Sequence, residues 1–105
     1  MTPTLAYRRL NKILWRGRLP KAKIIIVADA VMPNCYGLTI HDDETGDFTA
    51  PLIFINTGKQ PRVKVLIHEM LHIAEPALPH GRIFDLLVEL YWRTAKKHLK
   101  GLNLI

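Results

Sequence analysis

Apolar side chains recur at helical spacing in three stretches of this chain and form short strand-like runs in three others. Thr2-Pro3 opens the first helix, since proline suits the first helical position. Leu5, Ala6, Leu10, Ile13 and Leu14 then return at the spacing of one helix face, and Gly17 supplies a stop. Lys23 to Ala28 (KIIIVA) is β-branched and apolar, the composition of a buried strand. After Pro33-Asn34, Tyr36 to His41 alternates as a second strand. The polar turn Asp42-Asp43-Glu44-Thr45-Gly46-Asp47 follows, then a third strand over Pro51 to Asn56 (PLIFIN). From Pro61 to Glu75 the residues Val63, Leu66, Ile67, Met70, Leu71, Ile73 and Ala74 make one broad apolar stripe. Pro76 and Pro79 end that helix, and a last helix runs from about Arg82 to Lys100, closed by Gly101. The order is αβββαα, an α+β fold. Short connections between the strands predict a three-stranded antiparallel meander.

The face of helix 61–75 opposite its stripe carries the candidate chemistry. His68, His72 and Glu75 cluster there, with Glu69 at the margin, so that His68-Glu69-Met70-Leu71-His72 is an H-E-x-x-H run. Residues four apart share a helix face, which brings two imidazoles to one point. That suits two nitrogen ligands of Zn²⁺, with Glu69 as the base for a water activated by the metal. Solvated polar residues on a surface helix would explain any one of these side chains. They explain poorly two histidines at metal-ligand spacing with a glutamate between. A catalytic zinc needs a third protein ligand. His80 is the first candidate, because it sits just past the Pro76–Pro79 turn and can fold back over the His68 and His72 face. Glu75, one turn beyond His72, and Glu89 in the last helix are the alternatives.

Composition narrows the picture. With 105 residues, 49% of them hydrophobic, the chain makes a single domain over residues 1–105 with one modest core. The lone cysteine, Cys35, excludes an internal disulfide and a cysteine-rich zinc ribbon, and reads as a small buried hydrophobe. No run has the length of a signal peptide core or a membrane span, so the expected location is the cytoplasm. Net charge is +6 and uneven. Arg8, Arg9, Lys12, Arg16, Arg18, Lys21 and Lys23 precede any acid, and Arg93, Lys96, Lys97 and Lys100 crowd the last helix. These basic termini are candidates for non-specific DNA contact through phosphates. They also serve helix ends and solubility.

Several segments together resemble the SprT-like (Spartan-type) zinc metallopeptidase domain in a minimal form, over nearly the whole chain. They are Leu10-Asn11-Lys12, Gly17-Arg18-Leu19-Pro20, Tyr36-Gly37-Leu38 and Ile53-Phe54-Ile55-Asn56. The most specific are Leu66-Ile67-His68-Glu69-Met70-Leu71-His72 and His80-Gly81-Arg82-Ile83-Phe84. The turn Leu78-Pro79-His80-Gly81 is similar, more distantly, to WLM-type peptidases. The resemblance implies a zincin-like fold and a zinc held by His68, His72 and His80. It also implies that Phe84 of the H-G-x-x-F element packs beneath, and that the activity is hydrolysis of peptide bonds. Some members of that family act on proteins in a DNA-dependent way. Seven residues separate His72 from His80 here, a shorter insert than the family commonly has.

On this reading a polypeptide substrate lies along a free sheet edge as an added strand. Tyr36, His41, Arg82 and Tyr91 are candidates for steadying the oxyanion, although Tyr91 and Trp92 also read as core residues. Two other classes compete. One is a basic DNA-binding module with structural zinc, for which Glu69 is dispensable. The other is a non-catalytic partner-binding domain that keeps the fold without turnover.

Overall fold

The computed structural model describes residues 2–40, 51–58 and 62–98. Its elements are α1 (Pro3–Trp15), β1 (Lys23–Val27), β2 (Gly37–Ile40), β3 (Leu52–Asn56), α2 (Arg62–Ala74) and α3 (Arg82–His98). This is the expected αβββαα order, with each element starting or ending within two residues of the reading. The polar turn at 42–47, His41, Lys100 and Gly101 lie outside the described residues.

Local chemistry accounts for the ends of α1. The Thr2 hydroxyl accepts a hydrogen bond from the Leu5 amide, and Pro3 needs no partner for a missing N–H. At the other end Arg16 and Gly17 both take left-handed backbone angles, φ 55° and 77°. Both amides then donate to the Asn11 carbonyl, which closes the helix. The Asn11 side chain holds the amide and carbonyl of Leu19, and the Tyr7 hydroxyl donates to the Pro20 carbonyl at 2.6 Å. These bonds fix the path from α1 into β1.

The sheet is mixed, which corrects the expected antiparallel meander. Its order is β1-β3-β2, with β1 parallel and β2 antiparallel to β3. Asn56, at the end of β3 and fully buried, gives the physical reason. Its amide nitrogen donates to the Met32 and Cys35 carbonyls and to Asp29, all in the loop that joins β1 to β2. The Asn56 backbone amide donates to Tyr36, and that of Thr57 to Val27. The end of β3 is therefore clamped between the exit of β1 and the entry of β2, and the two cannot pair with each other. A continuous apolar run such as Ile24-Ile25-Ile26 is characteristic of parallel strands.

The same clamp corrects the expectation for Cys35. Its carbonyl accepts from Asn56, while its side chain is exposed in the connecting loop. Ile53 and Ile55 of β3 are fully buried against Leu66, Ile67, Met70 and Leu71 of α2, with Leu10 and Phe84 completing the core. Trp15 of α1 meets Tyr91 of α3, with ring centroids 4.9 Å apart. No helix among the described residues is long and apolar enough to cross a membrane.

Replacing Asn56 with Ala strands the loop carbonyls and the Gly58 amide that bonds to its side chain. The expected loss is roughly 2–4 kcal/mol in urea unfolding, the scale of several buried polar groups left unsatisfied. Asn34→Ala in the same loop, an exposed position, serves as control and should stay within about 0.5 kcal/mol.

Candidate metal centre

α2 carries His68 and His72 one turn apart, and the chain returns to them through the turn after Ala74. Glu75 closes α2 by donating its amide to Leu71, and Leu78 turns back by donating to Glu75. His80 then lies just ahead of α3. Its Nε2 is 3.2 Å from Nε2 of His68 and 2.8 Å from Nε2 of His72. Three nitrogen lone pairs aimed at one point repel each other unless a proton or a cation sits among them. Ligands held at ~2.0–2.1 Å around a tetrahedral ion stand about 3.3 Å apart, close to these separations. The donor set thus fits one metal ion, and the three histidines lie close enough to hold it.

Phe84 floors the site. It is fully buried, and its ring centre lies 4.7, 4.6 and 5.0 Å from those of His68, His72 and His80. One aromatic ring thereby limits the rotamers of all three imidazoles. Glu75, exposed beyond the end of α2, and Glu89 stay out of the cluster. The Glu89 carboxylate is taken by Lys64 at 2.7 Å.

Glu69 is more enclosed than a margin position suggests, only 4% exposed. One carboxylate oxygen lies 3.9 Å from the His68 Nε2, on the side where the imidazoles converge. The other accepts a 2.7 Å hydrogen bond from the Thr39 hydroxyl of β2. Burial pushes the Glu69 carboxyl up to about 7, with the Thr39 bond pulling the other way. A carboxyl of that kind can both take and return a proton near neutrality. Burial, and secondly the neighbouring His80, hold His68 below the usual imidazole range, while Asp85 acts in the opposite sense. A neutral imidazole is the form that binds metal.

Gly37 and Thr39 were invisible as site residues in the sequence, since neither carries chemistry of its own. A Cβ on Gly37 would come within 3.0 Å of Glu69 Oε2, of the Phe54 carbonyl oxygen and of Val65 Cγ1. The alternation of β2 could have revealed that Gly37 and Thr39 share a face, but not that α2 lies against it. Among the oxyanion candidates, Tyr36 lines a cleft with His68 and Glu69. Arg82 is exposed at the start of α3, Tyr91 packs on Trp15 in the core, and His41 lies outside the described residues. Trp92 is packed against the core, as read.

Two outcomes follow from this geometry. His80→Ala should weaken metal binding by more than about a hundredfold, since loss of an outer-shell partner alone costs 10- to 100-fold. Glu75→Ala and Glu89→Ala should keep the metal, as read by elemental analysis after gel filtration. The second outcome concerns metal-stripped protein. The folded state keeps the Glu69 proton to about pH 7, whereas a solvated carboxyl loses it near 4.5. The unfolded chain therefore binds fewer protons between those values, and stability falls as pH rises through that window. Glu69→Gln should be more stable to unfolding than the parent at pH 8, by on the order of 3 kcal/mol. The difference should fade below pH 4.5; an unchanged gap at low pH would show that charge is not its cause.

No family model, no curated protein and no solved structure matches the chain.

Proposed function

We propose that the protein is a zinc-dependent endopeptidase with a zincin-like fold, a minimal relative of the SprT-like domains that its motifs resemble. The observation that carries this reading is the convergence of three imidazole Nε2 atoms and a buried carboxylate beside a sheet edge. His68, His72 and His80 would hold the metal, and Phe84 keeps them in register. Zn²⁺ suits three nitrogen donors, and when bound there it would supply a Lewis acid that lowers the pKa of water to about 7.

The chain's own groups supply the remaining steps. Glu69 takes a proton from the attacking water and later hands it to the leaving amine nitrogen. Thr39 fixes the Glu69 carboxylate so that one oxygen stays directed at the reacting centre. The groove of about 280 Å³ at the histidines is walled by Gly37, Leu38 and Thr39 of β2. Among the described residues β2 has a strand on one side only, so a polypeptide can pair along the other. Tyr36, next to that strand, is the candidate that would steady the oxyanion. The single exposed thiol suits a reducing cytoplasm.

Structural zinc sites are normally closed by four protein ligands. Three histidines at an open groove with a buried carboxylate favour catalysis over a structural role. A DNA association has its own supporting observation. Arg8, Arg9, Lys12, Arg16, Arg18, Lys21 and Lys23 are all exposed, and α1 packs against α3, which carries exposed Arg93, Lys96 and Lys97. Phosphate contacts from such a surface would be sequence-independent and weakened by salt.

Zinc-loaded protein should cleave an unfolded protein substrate. Glu69→Gln should lower the rate by at least ~100-fold, the scale of one general base, with zinc content unchanged. Loss of zinc in that variant would make Glu69 a ligand rather than the base, and undiminished cleavage would end the mechanism. Titration with single-stranded DNA should show weak binding at low salt and modest stimulation of cleavage. Absence of both at physiological salt would leave the basic surface as a solubility feature.

A further inference from the structure

A second and larger cleft, about 500 Å³, opens beside the metal centre and shares Gly37, His68 and Glu69 with its groove. Val65 of α2 and Val88 of α3 line it with the Tyr36 ring. Its charged lining residues are Lys64, Asp85 and Glu89 as well as Glu69. Lys64 is already neutralised by Glu89 at 2.7 Å. Asp85 uses its backbone amide to close the first turn of α3 on Gly81, and its carboxylate acts electrostatically on His68 while forming no ion pair with a lysine or arginine among the described residues. The cleft therefore combines apolar walls with an acidic lining in which Asp85 and the buried Glu69 have no lysine or arginine partner among the described residues, on a protein whose net charge is +6.

We propose that this cleft receives a lysine or arginine side chain of the polypeptide at the position flanking the scissile bond on the Glu69 side, with Asp85 as the specificity-determining residue. The inference rests on the peptidase reading. A long side chain with a cationic tip matches the cleft in both respects, since its methylene stem covers Val65 and Val88 while the tip meets Asp85. A glutamate or aspartate in the same place would face Asp85 and Glu89. A leucine would fill the apolar part and leave the carboxylate unanswered. The preference runs against the overall charge, which disfavours basic peptides at long range and makes the local acid the deciding group.

The test uses binding as well as cleavage. Fluorescent peptides that differ only by lysine or its uncharged isostere norleucine at one position are titrated against the non-cleaving Glu69→Gln protein, with and without zinc. Lysine should bind about tenfold tighter, the scale of one charge pair in a partly open cleft. Adding Asp85→Asn should bring that ratio close to one, and Asp85→Lys should turn the preference towards glutamate. The same peptides offered to the zinc-loaded parent should be cut beside lysine, with the cut located by mass spectrometry. Equal affinities for lysine and norleucine, or a ratio indifferent to Asp85→Asn, would overturn the assignment whether or not the peptides are cut. A lysine preference that depends on Asp85, in peptides the parent never cleaves, would keep the basic-residue site and remove the peptidase reading instead.

Discussion

A carboxylate cannot be buried in an apolar core without a partner, and the placement of Glu69 makes that constraint the hinge of the whole site. The H-E-x-x-H run forces Glu69 next to two of the three clustered histidines, yet its position on α2 also turns it towards the sheet. Thr39 answers the buried oxygen, and Gly37 gives up its side chain so that the sheet can come close enough for Thr39 to reach. The distance between β2 and α2 is therefore set by one hydrogen bond and one missing methyl group. Both lie on the strand that walls the groove at the histidines. The placement of Glu69 beside the histidines and the packing of sheet on helix are the same contact here.

Much of this was legible in the chain, for identifiable reasons. Periodicity gave all six elements, because the stripe of α2 and the β-branched run of β1 answer to burial on one side or both. The convergence of His68 and His72 is a property of helix geometry alone. The return of His80 needed only a chain reversal after α2, and two prolines mark one. Strand neighbours were different. Sequence order favours pairing of consecutive strands, and the clamp that sends β3 between β1 and β2 comes from Asn56. Its role depends on loop carbonyls that carry no side-chain signature. Cys35 was misread for the same reason, since its place beside that clamp overrides the usual tendency of cysteine to be buried.

Phe84 shows how a core residue can act as part of a site without any polar atom. Three imidazoles around one ring lose rotational freedom before any ion arrives. The entropy of ordering them is then supplied by folding of the core and not by metal binding. The turn between His72 and His80 contributes in the same sense, because seven intervening residues with two prolines leave few alternative paths. The geometry of the three-histidine cluster is thus tied to the packing of α3 onto α2.

The sheet order carries one further consequence. β2 is a short edge strand whose Leu38 is 46% exposed, and its outer backbone groups have no strand partner among the described residues. Such an edge does not discriminate between an extended polypeptide and the same edge of a second molecule, so an open strand of this kind is a seed for self-association. Natural edges are usually blunted by a lysine, a proline or an inward charge, and Gly37-Leu38-Thr39-Ile40 carries none of these. A net charge of +6 works against such pairing, because like-charged copies repel. Colloidal stability in this protein is therefore coupled to ionic strength, and concentrated salt removes the repulsion that guards the open edge.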